Sequence, residues 1–117
     1  MRSVHELGLA DAALQLAFDE ARNANASRVA RIVVRVGALS GVDPEALRFA
    51  LEVLAKGTSA DGAAMEIEPV EAIALCNQCQ REFPAELASL FECPRCGRSS
   101  CDLKQGRELH LVRLELI

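Results

Sequence analysis

Two short motifs constrain this chain more than any other feature: CNQC, with Cys76 and Cys79, and CPRC, with Cys93 and Cys96, separated by 13 residues. A C-x-x-C turn sets two thiolates on one side of a tight loop. Two such turns from separate hairpins supply the four corners of a tetrahedron at about 2.3 Å from a zinc ion. Gly97, directly after the second motif, suits the turn that frees backbone amides to point at sulfur. A thioredoxin-type redox site needs one such motif at the end of a strand in a βαβ setting, so the doubled motif points to metal. Structural Zn(II) is the reading, and rubredoxin-like iron is the rival, since softness and tetrahedral geometry suit both metals. Four thiolates close the coordination sphere and leave no open position for catalysis. The motifs therefore specify a zinc ribbon, not an enzyme, and a segment with so few apolar groups is expected not to fold without its metal. Cys101 reads as a spare thiol beyond the second motif, the other reading being an alternate or redox-sensitive ligand.

Composition narrows the rest. At 117 residues the chain is one domain, or one domain with a small appendage, and a 50% hydrophobic content supports a real core. That core must be aliphatic, because Phe is 4 while Trp and Tyr are 0. Such a chain is poorly equipped to stack nucleobases, and a net charge of -4 argues against binding a phosphate backbone. Between Glu71 and Arg107, five bases (Arg81, Arg95, Arg98, Lys104, Arg107) are offset by five acids (Glu71, Glu82, Glu86, Glu92, Asp102), and only Phe83 and Phe91 offer stacking rings. No apolar run approaches the roughly 18 residues that span a bilayer, and the amino terminus lacks the layout of a secretory signal. A cytoplasmic protein that binds neither nucleic acid nor membrane is expected. In that compartment cysteines read as metal ligands or redox groups before disulfides.

Around the cysteine region the pattern is regular. Leu7, Ala10, Leu14, Ala17, Phe18 and Ala21 trace one apolar stripe, predicting a helix from Ser3 to about Asn23. Ser3 and Glu6 fit a capping box at its start. Arg28 to Val36 is β-branched and predicts a strand. Asp43-Pro44-Glu45 has helix-start chemistry, and the second helix is expected to run to about Lys56, burying Ala46, Leu47, Phe49, Ala50, Val53 and Leu54, with Gly57 as its stop. Met65, Ile67 and Pro69 alternate with Glu66 and Glu68 as a second strand. The final stretch RELHLVRLELI is a third strand, too apolar for the small module and expected to return to the first sheet. His110 within it reads as a surface or half-buried sheet residue, and Glu66/Glu68 and Arg31/Arg35 as solvated strand faces. The expected class is α+β: a small mixed sheet of about three strands with two helices, residues 1–71 and 107–117, and an inserted zinc ribbon, residues 72–106.

No hydrolase triad, phosphate-cradling loop or paired-carboxylate site stands out. What remains is His5-Glu6 near the amino terminus and Asp43 in the loop after the first strand. An imidazole beside acids suits a borderline divalent metal, while a helix-start His and Glu are also ordinary capping or solvent-facing residues. The arrangement as a whole decides between these. HEL on an amphipathic helix, VVRVGALSGVDPEALRFALE, MEIEPVEA, the paired cysteine motifs and QGRELHLVRLEL follow one another in order. In this the chain closely resembles the HypA/HybF family of hydrogenase maturation factors, over essentially its whole length.

The resemblance implies a nickel metallochaperone, not an enzyme. It would deliver Ni(II) to the large subunit of [NiFe]-hydrogenase with the nickel-binding GTPase HypB, and in some organisms serve urease maturation. It places the nickel histidine on His5, the adjacent acid on Glu6, the loop carboxylate on Asp43, and the zinc thiolates on Cys76, Cys79, Cys93 and Cys96. A monomer or weak homodimer is expected. In the family the histidine directly follows the initiator Met, whereas Met1-Arg2-Ser3-Val4 precede His5 here. Val4 stands where the family has Met, and a GTG codon reads as Met at initiation, so a start at Val4 is expected. If the extension is real, nickel is left to the His5 imidazole, local amides, Glu6 and Asp43. The alternative functions are a zinc-ribbon adaptor binding protein or nucleic acid, and a thiol redox protein.

Overall fold

The structure, a computed structural model, describes residues 2–86, 92–98 and 101–117, with side chains from His5 onward. Helix α1 spans Arg2–Asn23, strand β1 Val29–Gly37, helix α2 Pro44–Ala55 and strand β2 Ala64–Val70. Three short strands follow, β3 (Ile73–Cys76), β4 (Glu82–Pro84) and β5 (Cys101–Gln105), and then β6 (Leu109–Leu116). They form two three-stranded sheets, ordered β2-β1-β6 and β4-β3-β5. The first is mixed: β1 runs parallel to β2 and antiparallel to β6. The second is antiparallel throughout and lies wholly between β2 and β6 in sequence.

The helix ends follow from local chemistry. Asn25 adopts φ 54, and the Ala26 and Asn25 amides donate back to the Ala21 and Arg22 carbonyls at 2.8 and 3.1 Å. This is the reversal that closes a helix through a left-handed residue, which Asn tolerates. Helix α2 starts on Asp43, whose Oδ1 accepts from the Glu45 and Ala46 amides at 3.0 and 3.4 Å, with Pro44 in the first turn. It stops before Gly57 at φ 78.

Both helices cover one face of the first sheet. The core joins Ala10, Leu14, Ala17 and Ala21 of α1 to Leu47, Ala50, Leu51 and Ala55 of α2, over Ile32, Val34 and Val36 of β1. The other sheet face is polar. Arg31 ion-pairs with Glu66 and Glu115, and Arg35 with Glu68 at 2.6 Å. The three carboxylate and two guanidinium side chains are therefore partners across strands.

Three sequence expectations shift. The buried stripe of α2 is only partly the one expected: Leu47 and Ala50 are buried, joined by Leu51 and Ala55, whereas Phe49 is 67% exposed and Val53 43%, and Leu54 is also exposed. At about 100° per residue, Phe49 lies roughly 200° from Leu47, on the opposite side of the helix. The segment is apolar nearly all round, so periodicity left two stripes available, and Leu47 and Leu51, one turn apart, take the core while the larger Phe49 stays outside. In α1, Leu7 falls off the buried stripe at 41% exposed, and Pro69 in β2 is exposed. The third shift concerns the capping box: α1 already begins at Arg2, the Ser3 side chain lies outside the described residues, and the Glu6 carboxylate is engaged elsewhere.

Strand β6 carries a bulge. Val33 faces Arg113 but Val34 faces Leu111, so Val112 is extra. Strict alternation would send residues 109, 111, 113 and 115 inward. The inserted residue resets the pleat so that Leu109, Leu111, Leu114 and Leu116 all pack on the core.

Candidate metal centres

The second lobe is built around sulfur. Its small core comprises Ala72, Ala74, Cys76, Phe83, Ala85 and Cys93, with Leu39 reaching in from the first lobe. Each C-x-x-C motif sits in a tight turn. The Gln80 amide donates to the Cys76 carbonyl at 2.8 Å, and the Gly97 amide to the Cys93 carbonyl at 2.8 Å. The residues reversing these turns take left-handed backbone, Gln80 at φ 56 and Gly97 at φ 73. Glycine is suited to that geometry; Gln80 adopts it with its side chain bonded to the Asn77 carbonyl.

The turns aim amides at sulfur. Cys79 N–H donates to Cys76 Sγ at 3.4 Å, and Arg95 N–H to Cys93 Sγ at 3.4 Å. Across the site, Cys76 Sγ lies 3.7 Å from Cys96 Sγ and Cys93 Sγ 3.9 Å from Cys79 Sγ. A tetrahedron with metal–sulfur bonds of about 2.3 Å has edges of about 3.8 Å. The four thiols are thus already spaced as ligands of one ion, and all four sulfurs lie within 4.8 Å of one another. Among the described residues this is the only group of three or more His, Cys, Asp or Glu side chains so gathered.

Electrostatics agree with that geometry. The Cys79 amide, helped by that of Gln78, holds the Cys76 thiol down at about 6 against the effect of burial. Amides of Cys96 and Arg95 lower Cys93 in the same way. Cys79, sharing its proton with Cys96 and partly buried, is pushed up to about 12. A set that holds some sulfurs ionised while others keep a shared proton favours a dication. Cys101 is raised chiefly by burial and then by the charge on Cys76. It stands outside the four-sulfur cluster.

The amino-terminal residues are arranged differently. Glu6 is 0% exposed, and its Oε2 accepts the Asp43 backbone amide at 3.0 Å. One carboxylate thus ties the first turns of α1 to the start of α2. Glu6 Oε1 is buried and has no hydrogen-bond partner. Asp43 spends its Oδ1 capping α2, and His5, next along α1, is exposed. The structure therefore joins Glu6 to Asp43 through the backbone, with His5 at the edge of the same corner, and does not gather the three ligand atoms into a cluster. Sequence reasoning missed the burial of Glu6. Its only signal was an acid four residues before Ala10, on the line of the buried stripe.

The two centres are linked by one loop. Gly37 at the end of β1 packs against the backbone of Gly106, so close that a Cβ there would lie 2.1 Å from the Gly106 oxygen. The Leu39 amide donates to the Gly106 carbonyl at 2.7 Å, and Glu108 Oε1 accepts the Gly106 amide at 2.7 Å. The same loop runs on through Val42 to Asp43. Fold and site together define a two-lobed metal-binding protein, an α/β lobe with a four-thiolate ribbon set between its second and last strands.

Comparison with known proteins gives the family. The sequence model described as "Hydrogenase/urease nickel incorporation, metallochaperone, hypA" matches residues 4–116. A hydrogenase maturation factor HypA of Chloroflexus aurantiacus is 40% identical over 112 residues, covering 96% of this chain and 98% of that protein. One of Dechloromonas aromatica is 39% identical over 114 residues, covering 97% and 99%. The chain belongs to the HypA family of nickel metallochaperones and hydrogenase maturation factors. The solution structure of the Ni metallochaperone HypA from Helicobacter pylori shares the fold, at TM-score 0.65 and 22% identity over 96% of this chain and 97% of that one. A second HypA solution structure aligns at TM-score 0.71 and 23% identity, covering 97% of each chain.

Proposed function

We propose that this protein binds Ni(II) at the corner formed by His5, Glu6 and Asp43 and passes it to the large subunit of [NiFe]-hydrogenase, acting in the cytoplasm with the GTPase HypB. Urease is the second client class that the family description supports. Zn(II) held by Cys76, Cys79, Cys93 and Cys96 maintains the ribbon and takes no part in transfer, since four thiolates leave it no exchangeable position.

The observation that carries the nickel assignment is the buried Glu6 carboxylate. One oxygen fixes α1 to the Asp43 amide, and the other is buried without a hydrogen-bond partner. Isolated buried carboxylate oxygen is costly unless something answers it, and a cation held by the neighbouring exposed His5 is a suitable answer. Imidazole, amide nitrogen and carboxylate together suit nickel. An exposed imidazole also lets a client's ligands approach the ion, as handover requires.

Nickel titration of the zinc-loaded protein tests the proposal. The expected result is stoichiometric binding in the wild type and its loss in His5→Ala with the thermal unfolding midpoint unchanged, His5 being exposed. Nickel binding that survives His5→Ala would move the site elsewhere.

A further inference from the structure

The four-thiolate reading leaves Cys101 without a task, and its position gives it one. On the antiparallel β3–β5 pair, Cys101 stands directly opposite Cys76. The Cys76 amide donates to the Arg81 carbonyl at 3.0 Å, and its carbonyl accepts from the Gln80 amide at 2.8 Å. Both polar groups of Cys76 therefore turn away from β5. The pair is consequently of the non-hydrogen-bonded kind, whose Cα atoms lie about 4.5 Å apart with side chains drawn together. That separation falls within the roughly 4.4–6.8 Å range a disulfide spans. Joining these two sulfurs calls for side-chain rotation, not backbone movement.

Access is asymmetric. Cys76 is fully buried at 0%, whereas Cys101 is half-buried, its thiol 3.7 Å from the Arg98 carbonyl and hydrogen-bonded to Cys76. A small oxidant reaches Cys101 first, and Cys76 is the sulfur behind it. Cys101 is also outside the cluster of four, so its lone pairs are not committed to a metal.

We propose that Cys101 and Cys76 are a redox pair through which a peroxide releases the ribbon's metal. This rests on the four thiols being the zinc site. The Cys101 thiol gives its proton to solvent as its sulfur attacks hydrogen peroxide, the O–O bond breaks, and a sulfenic acid and hydroxide form. The Cys76 thiolate then attacks that sulfenic sulfur, the S–O bond breaks and a second hydroxide leaves. The two thiols have given two electrons to one peroxide, and with two protons the hydroxides become water. Cys76 is no longer a thiolate, three ligands remain, and the metal is freed. The closed ribbon so becomes a peroxide-sensitive element on a nickel carrier.

The test uses the full zinc-loaded chain, with zinc measured before hydrogen peroxide is added and followed afterwards by a chromogenic chelator. Wild type is expected to release zinc as a Cys76–Cys101 disulfide accumulates in peptide mass spectra. In Cys101→Ser and Cys101→Ala the fast release phase is expected to be lost while the starting zinc content matches wild type. Equal release rates in all three proteins would overturn the proposal, as would a disulfide mapping to Cys76–Cys96 or another ligand pair. Absence of zinc in untreated wild type would instead overturn the zinc reading beneath it, and the two failures are thereby told apart.

Discussion

At the residue scale, Glu6 and the facing glycines do the most. Glu6→Ala removes the acceptor of the part-buried Asp43 amide, and leaving a buried donor unpaired costs about 1–3 kcal/mol, so a lowered thermal unfolding midpoint, towards the small end of that range, is expected. Glu6→Gln keeps an oxygen for that amide and removes only the charge. It is expected to unfold near the wild-type temperature while binding nickel more weakly. That contrast, read by calorimetry and nickel titration, separates clamp from ligand. At Gly106, φ is +125 and a Cβ would lie 2.7 Å from Ala72 Cα. Gly106→Ala is therefore expected to destabilise the protein and to reduce zinc retention, measured on purified protein by metal analysis.

At the element scale, the bulge in β6 makes a sharp prediction. Deleting Val112 removes the bulge and leaves LHLRLEL, whose strict alternation keeps Leu109, Leu111, Leu114 and Leu116 on the core face. The deletion is expected to leave unfolding cooperative by circular dichroism, whereas Leu114→Glu, which puts a charge on the core face, is expected to abolish it. Elements were largely legible beforehand: both helices of the first lobe, its three strands and the return of β6 follow from apolar periodicity and caps. The face of α2 was only half legible: burial of Leu47 and Ala50 was, but ALRFALEVLA is apolar on most sides and tertiary packing alone selects Leu51 and Ala55 over Phe49 and Val53. Strands β3 to β5 were also illegible. They run three to five residues each and bury little beyond Ala74, Phe83 and the cysteines, so alternation had almost nothing to mark. The thiol cluster was readable because spacing alone defines a ligand set. The Glu6–Asp43 bond was not, since it joins residues 37 apart through a backbone amide that no side-chain pattern announces.

At the scale of the whole molecule, the two lobes have separate cores joined by Leu39, Gly37 and Gly106. Chelating the metal is expected to erase amide protection from about residue 72 to 105 while the helical signal of α1 and α2 persists, checked by hydrogen exchange and circular dichroism. Acid should act in the same direction. Cys76 ionises at about 6 in the metal-free cluster, and a bound dication competes further with protons for that sulfur. Zinc is expected to stay bound from pH 7 down to about 6 and to leave as the pH falls below it. Glu108, held low by its own amide and that of Gly106, adds stability above the usual carboxylate range that is lost on further acidification.

The meeting of Ala72 with Gly106 has a further meaning for how such a chain is assembled. Where the ribbon departs and where it rejoins, β2 and β6 flank the same strand, about 10 Å apart at ordinary strand spacing. A short turn bridges that gap. The ribbon is in effect a cassette, clipped between the ends of the two strands that flank β1, with Leu39 as the first lobe's side chain in its core. A protein engineer can exchange it for a loop of a few residues, or graft it into another mixed sheet with the same pair of ends, and ask which properties travel with the cassette and which stay with the host.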